Sequence, residues 1–103
     1  MMNTVILIGR LTKEPETRTS GETTVTRFSL AVDRGDKNGN TDFPNVVCFG
    51  KVAEAVAKYM SKGRLVAVHG QLRTGSYTDK EGNKRYTTEV AADVVKFLDS
   101  KKD

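Results

Sequence analysis

The sequence has few of the residues that build cross-linked, metal-bound or membrane-spanning folds. Its 103 residues include one cysteine, Cys48, one histidine, His69, two prolines and no tryptophan. A single cysteine excludes an intramolecular disulfide framework, and one cysteine with one histidine is too few for a structural zinc site. No apolar run approaches the roughly 20 residues of a membrane helix, and the run Val5 to Ile8 is too short for a signal peptide. We therefore expect a soluble cytoplasmic protein that does not contact membranes.

The length and the charge distribution limit the number of domains and the kind of partner. A chain of this length has space for one domain, here 1–103, with a compact core. Seventeen Lys and Arg exceed thirteen Asp and Glu, which gives a net charge of +4. Residues 1–50 carry six basic and six acidic side chains, so the whole excess lies in residues 51–103. This charge permits a polyanionic partner, although an ordinary solvated surface explains it as well.

Alternation of apolar and polar residues with period two predicts five strands. These strands are predicted over 3–11, 24–34, 42–50, 64–77 and 84–98, and the polar segment 12–23 is predicted to be a loop. The run Val5 to Ile8 predicts a first strand buried on both faces. Pro44 indicates a strand start, an edge or a bulge, and Gly70 and Gly75 indicate bulges or bends.

One segment, Lys51 to Lys62, has a helical period instead, with Val52, Val56 and Tyr59 on one side. Gly63 is predicted as its C-cap. One helix cannot cover both faces of a five-stranded sheet. We therefore predict an all-β protein with one helix: an OB-fold, a five-stranded small antiparallel barrel with the helix between strands 3 and 4. An open α+β sheet is the alternative.

The sequence offers no set of residues for catalysis. His69 lies in the middle of a predicted strand, where a partly buried structural role explains it best. The three aspartates around the hairpin between strands 2 and 3 could hold a divalent ion, but turn preference accounts for them better: Asp33, Asp36 and Asp42. Cys48 is interpreted as a core residue. We expect no enzymatic activity, no metal and no cofactor.

Three aromatic residues have polar or basic neighbours, whereas Phe28, Tyr59 and Phe97 fall on apolar faces. Phe43 and Phe49 share one face of strand 3, and Tyr77 lies at the hairpin between strands 4 and 5. The nearby basic residues are Lys51, Arg73, Lys80, Lys84 and Arg85. Aromatic rings between cations are typical of sequence-tolerant binding to single-stranded nucleic acid. A barrel core or a subunit interface would explain the same pattern.

Six segments of the chain match segments of a known family and follow one another in the same order. They are 3–18, 28–34, 42–54, 59–63, 68–74 and 77–90. They include F-S-L-A-V-D-R, D-F-P-N-V-V-C-F-G-K and Y-T-D-K-E-G-N-K-R-Y-T-T-E-V. Together these segments cover nearly the whole chain. The chain therefore resembles the bacterial-type single-stranded-DNA-binding proteins, the SSB family. The resemblance implies an OB-fold protomer, assembly into a homotetramer, and non-catalytic coating of single strands during replication, recombination or repair.

The resemblance also implies roles for particular residues. By position, the stacking aromatics are Phe43, Phe49 and Tyr77. The basic groove residues are Arg34, Lys51, Lys62, Arg73 and Arg85. Arg18 matches the family's E-x-R, where a structural and a binding role both stay open.

Three departures from the family pattern affect these expectations. Asp36 occupies a position where relatives commonly carry a further stacking aromatic, and T-G-S precedes Tyr77 where relatives are often more basic. The chain ends K-F-L-D-S-K-K-D, without a flexible linker and acidic tail, so tail-mediated replication partners are not expected. Two alternatives stay open: a dimeric OB-fold accessory factor of replication restart, and an OB-fold module that binds only carbohydrate or protein.

Overall fold

A computed structural model describes residues 1–99, which form seven strands and one helix. The strands are β1 (Val5–Leu11), β2 (Glu16–Ser20), β3 (Thr23–Asp33), β4 (Thr41–Asp42), β5 (Asn45–Phe49), β6 (Leu65–Thr78) and β7 (Lys84–Phe97). The helix α1 (Gly50–Tyr59) lies between β5 and β6. Residues 100–103, part of the ending on which the expectation about the tail depends, lie outside the described residues.

Five strands close into a barrel in the order β1, β3, β5, β7 and β6. Pairing of Arg10 with Ala31 and of Leu11 with Leu30 joins β1 to β3 and completes the closure. Four of the pairings are antiparallel, and β5 runs parallel to β7. The helix lies between the third and fourth barrel strands in chain order. The predicted OB-fold is confirmed, with one parallel pairing in place of a wholly antiparallel barrel.

Alternate residues of β3 point into the barrel, as the sequence predicts. Thr26, Phe28 and Leu30 are buried, whereas Arg27 between them is exposed. Cys48 is fully buried in the same core, which confirms its predicted position. The other core side chains come from the remaining barrel strands and from α1: Leu11, Val46, Ala53, Val56, Met60, Val66, Val68, Val90 and Ala92.

The prediction that β1 is buried on both faces is wrong. Ile6 is 68% exposed, and Ile8 is also exposed. A strand of a closed barrel has only one face toward the core, and a continuous apolar run does not reveal this. Ile6 pairs with His69 on β6, whose side chain is exposed rather than partly buried. The His69 Nδ1 lies 2.8 Å from Asp93 Oδ1.

The segment 12–23, predicted as a loop, contains the strand β2. This strand pairs with residues 23–27 of β3, and Gly21 in the connecting turn has a φ of +63°. All five β2 residues are exposed, so no apolar alternation identifies the strand. Its position depends on the ladder with β3 and on a hydrogen bond of 3.0 Å between the hydroxyls of Thr17 and Thr26.

The predicted third strand is interrupted. Its residues form β4 and β5, separated by Phe43 and Pro44, and Pro44 directly precedes β5, as its missing N–H group favours. A register shift between His69 and Gly70 confirms the bulge predicted there, whereas Gly75 pairs regularly with Thr87.

The helix ends earlier than the sequence predicts. It stops at Tyr59, and the N–H of the C-cap residue Met60 donates to the Val56 carbonyl at 2.9 Å. Gly63 is therefore not the cap; it has a φ of +88° in the turn before β6. Tyr59 is half exposed and packs on Phe97 with ring centroids 6.0 Å apart, so these two rings lie at the rim of the core. Within residues 1–99, no helix has the length and hydropathy to span a bilayer.

Candidate nucleic-acid interface

Two of the predicted stacking residues lie on β5 or just before it. Phe49 pairs with Val25 of β3 and is 42% exposed. Phe43 lies just before β5, between the ladders that β3 makes with β4 and β5, and is 63% exposed. Both rings are therefore exposed at the surface of the barrel, Phe49 on β5 and Phe43 in the break between β4 and β5.

Phe49 has cationic neighbours. The Arg73 Cζ atom lies 5.8 Å from the centroid of the Phe49 ring, within the range of a cation–π contact. Lys51 follows in the first turn of α1. Among the described residues, no carboxylate lies within ion-pairing distance of Arg73 or Lys51. An exposed ring thus lies beside a guanidinium group whose cross-strand carboxylate, Glu89, pairs with Arg27.

Tyr77 is 57% exposed on the hairpin of β6 and β7, where it pairs with Arg85. The Arg85 Nε donates to Asp79 Oδ2 at 2.9 Å. The other oxygen of Asp79 accepts from the backbone N–H groups of Asn83 at 2.9 Å and Glu81 at 3.0 Å. The bond from Asn83 and that from Arg85 lower the pKa of Asp79 below its usual value. Asp79 therefore holds both the turn and the Arg85 guanidinium.

Arg34 is also paired with a carboxylate. Its Nε donates to Asp42 Oδ1 at 3.1 Å and to Oδ2 at 3.0 Å, and its Nη2 donates to Oδ1 at 2.8 Å. These hydrogen bonds lower the pKa of Asp42. Both side chains are about half exposed, so the pair lies at the surface of the β3–β4 ladder, and Asp42 directly precedes Phe43 in the chain.

The other aspartates of this hairpin make local contacts typical of turn residues. Asp36 accepts from the backbone and the side-chain amide of Asn40, both at 3.0 Å, and Asp33 accepts from the Thr41 hydroxyl at 3.3 Å. In residues 1–99, no three His, Cys, Asp or Glu side chains gather as metal ligands would.

Two further predicted residues lie in different places. Lys62 is in the turn between α1 and β6, where its N–H donates to Glu14 Oε1 at 3.1 Å, and not on the outer face of β3 and β5. Arg18 is exposed on β2 and pairs with Val25, which in turn pairs with Phe49. Two strand spacings, about 10 Å, therefore separate the backbones of Arg18 and Phe49.

A groove of about 420 Å³ borders the same face between β2, β3, β5 and β7. It is lined by Arg27, Asn45 and Tyr86, among others. Tyr86 is 76% exposed, with the Lys84 Nζ 5.5 Å from its ring centroid. Sequence reasoning assigned no role to Tyr86, although the adjacent Lys84 and Arg85 were a signal for an exposed aromatic.

A closed five-stranded barrel with its helix between the third and fourth strands belongs to the OB-fold class, whose members bind oligonucleotides or oligosaccharides on this outer face. The sequence profile described as "Single-strand binding protein family" matches residues 2–98. The chain belongs to this family.

Curated relatives extend beyond the length of this chain. A single-stranded DNA-binding protein of Clostridium perfringens is 50% identical over 101 residues, which cover 96% of this chain and 67% of that protein. One from Clostridium tetani is 54% identical over 103 residues, covering 95% and 71%. Single-stranded DNA-binding protein 1 of Staphylococcus aureus is 47% identical over 106 residues, covering 98% and 68%.

Proposed function

We propose that this protein binds single-stranded DNA with little dependence on base sequence, and that it coats and protects single strands during replication, recombination or repair. Its family membership and its relatives named single-stranded DNA-binding proteins support this function and do not favour the two alternatives. We further propose that it acts by binding alone, without catalysing a reaction.

The contact between Phe49 and Arg73 carries the proposal about mechanism. A base stacks on an exposed aromatic ring through its π-face, which all four bases have, so the contact needs unpaired bases but not a particular sequence. A guanidinium group beside the ring can bind the phosphate that follows the stacked base. We assign Phe43 and Tyr77 to stacking as well, because both rings are exposed and Tyr77 lies opposite Arg85.

The basic residues are not equivalent in this proposal. Arg73 lies beside the Phe49 ring, and Lys51 follows Phe49 by two residues in the chain. Neither forms an ion pair among the described residues, so we assign phosphate contacts to them first. Arg34 and Arg85 are each paired with an aspartate. Lys62 lies away from the rings, whereas Arg18 is on the same outer face as Phe49. The geometry therefore favours Arg18 over Lys62 as a phosphate contact.

A titration with fluorescently labelled oligo-dT beside a duplex of equal length tests the function. We expect the single strand to bind more tightly and the logarithm of affinity to fall linearly with the logarithm of salt concentration. Phe49→Ala should weaken binding, whereas Tyr59→Ala should not, although the exposed Tyr59 ring also has a cation, Lys58, 5.2 Å from its centroid. Equal affinity for duplex, or equal loss in both variants, would contradict the proposal.

We also propose that the protein assembles into a homotetramer. The outer surface of β1, β6 and β7 supports self-association, because Ile6, His69 and Val94 are paired across the three strands and all are exposed. Ile8, two residues from Ile6 along β1, is also exposed. Exposed apolar side chains grouped on one surface, here around the bonded His69 and Asp93, are typical of protein interfaces.

Analytical ultracentrifugation tests the assembly. We expect a tetramer at micromolar concentration, with dissociation to dimers on dilution. Ile6→Lys should lower the oligomeric state, because it places a charge among the exposed apolar side chains of β1 and β7. Thr19→Lys, on the exposed strand β2, is the matched control and should leave the oligomeric state unchanged. A parent protein that is monomeric at high concentration would exclude the tetramer.

A further inference from the structure

The arginines beside the proposed stacking residues differ in their partners. At Phe49, Arg73 has no carboxylate within ion-pairing distance among the described residues. Arg85, opposite Tyr77, is held by Asp79, and Arg34 is held by Asp42, the residue that directly precedes Phe43. The carboxylates thus occupy guanidinium groups at two of the three positions where a phosphate would be expected.

The two pairs differ in what else the carboxylate does. Asp79 accepts two backbone N–H groups in its turn, so its replacement would disturb the hairpin as well as Arg85. All three hydrogen bonds recorded to the Asp42 carboxylate come from Arg34. Asp42 therefore engages Arg34 and has no second partner in the described structure.

We propose that Asp42 competes with a backbone phosphate of the bound single strand for the Arg34 guanidinium, and so sets the affinity of this end of the interface. The inference rests on the proposed function. A carboxylate and a phosphate bind the same guanidinium fork in the same two-point geometry, so the two acceptors exclude one another from the Nε and Nη2 edge. The pair is half exposed, which gives a phosphate access to that edge.

The charges around the Arg34–Asp42 pair also weaken the binding of a phosphate at Arg34. The segment from Asp33 to Asp42 contains three aspartates and only two basic residues, Arg34 and Lys37. A phosphate that displaces Asp42 leaves an unpaired carboxylate close to the nucleic acid, and like charges at such distances repel. Arg34 consequently contributes little to binding while Asp42 is present.

A double-mutant cycle on oligo-dT binding tests this inference. Asp42→Asn keeps the shape of the side chain, removes its charge and releases Arg34. We expect it to raise affinity about two- to fivefold, the range that corresponds to an exposed ion pair. The salt dependence should become steeper by about 0.7 in log–log slope, the value for one additional phosphate contact on a single strand.

The Arg34→Ala substitution distinguishes competition from a general charge effect. In the parent protein it should change affinity by less than about twofold, whereas in the Asp42→Asn background it should abolish the gain. Asp33→Asn is the matched control, because it changes the charge of the same hairpin equally while its carboxylate contacts Thr41 and no arginine. It should leave the salt slope unchanged.

The outcomes separate the inference from the proposed function. A parent protein that does not bind oligo-dT would contradict the function itself. A parent protein that binds, with an Asp42→Asn variant of unchanged affinity and slope, would overturn the inference alone. So would an Arg34→Ala loss that is equally large in both backgrounds. If Asp42→Asn lowers the midpoint of thermal unfolding, the same titration is carried out with Asp42→Ser, which also removes the charge but has a smaller side chain.

Discussion

The hydroxyl of Thr26 donates to the carbonyl oxygen of Ala53 at 2.9 Å and so connects the interior of the barrel to helix α1. Thr26 is fully buried, and its hydroxyl also bonds that of Thr17 on β2. One side chain of β3 thereby joins the helix and the exposed strand β2 to the core.

Replacing Thr26 by valine should reduce the free energy of unfolding by about 1–3 kcal/mol, because it leaves the buried Ala53 carbonyl without this donor. Thr17→Val, which removes only the bond between the two hydroxyls, should cost less. Urea denaturation followed by circular dichroism measures both. Equal losses would show that the bond to α1 contributes nothing beyond the contact with β2.

Gly70→Ala should destabilise the protein by about 1–3 kcal/mol, the usual effect of inserting a methyl group into a packed region. A Cβ atom at Gly70 would collide with the backbone carbonyl of Ala91, which cannot move without disturbing the bulge between β6 and β7. At Gly75 the nearest atom to a Cβ is the Thr87 hydroxyl, at 3.1 Å, and a side chain can rotate away. Gly75→Ala is therefore the control, and thermal melting should rank Gly70→Ala clearly below it.

The sequence predicted those elements whose side chains alternate between core and solvent. In β3, the buried Thr26, Phe28 and Leu30 alternate with polar residues, and the strand was placed within one residue at each end. Strand β2 was missed because all its residues are exposed, and its conformation comes from pairing with β3 rather than from burial. Local pattern carries no information about such pairing.

The exposure of the candidate site residues was predictable from the sequence, but their pairings were not. Phe43, Phe49 and Tyr77 are exposed, as their polar neighbours suggested. The pairing of Arg34 with Asp42 depends on the register of β3 and β4 across a loop, and the contact of Arg73 with Phe49 depends on barrel closure. Neither can be read from spacing along the chain, because each joins residues brought together only by the complete fold.

Cys48 should react with iodoacetamide at pH 8 far more slowly in the folded protein than in urea. Burial in the core excludes the reagent and raises the pKa of the Cys48 thiol to about 11, from a usual 9.0. The neutral thiol is favoured in the folded state, so ionisation of the unfolded chain should lower the free energy of unfolding as the pH rises from 9 toward 11.

Mass spectrometry follows the alkylation, and urea titrations across this pH range follow stability. In a Cys48→Ala variant this contribution to the pH dependence should be absent. Rapid alkylation of the folded protein at pH 8 would show that Cys48 is not enclosed as the structure describes.

Arg73→Ala should weaken oligo-dT binding and reduce the magnitude of its log–log salt slope by about 0.7, since one phosphate contact is lost. The reason is that Arg73 lies beside Phe49, while the carboxylate opposite it on β7, Glu89, pairs with Arg27. Lys58→Ala removes a cation that lies over Tyr59 on helix α1 and should leave the slope unchanged. A slope that is the same in Arg73→Ala as in the parent would remove Arg73 from the phosphate contacts.

Among the aromatic residues, Phe43→Ala and Phe49→Ala should weaken oligo-dT binding more than Tyr77→Ala. Stacking contributes about 1–3 kcal/mol per base. Phe49 belongs to a barrel strand and Phe43 lies two residues before that strand, next to the β3–β4 ladder, whereas Tyr77 lies near the tip of the β6–β7 hairpin. Ordering a hairpin tip on binding costs conformational entropy that a ring on the barrel does not lose.

Asp36→Trp should strengthen binding, because it removes a negative charge from the hairpin before Phe43 and adds a ring on which a base can stack. Circular dichroism and native mass spectrometry must first show that each variant keeps its fold and oligomeric state. Folded Phe43→Ala and Phe49→Ala proteins that bind like the parent would exclude these two rings from the interface. If Tyr77→Ala instead loses the most affinity for oligo-dT, the centre of binding lies on the hairpin. The access of a ring to the DNA would then matter more for its contribution to binding than the rigidity of the backbone that carries it.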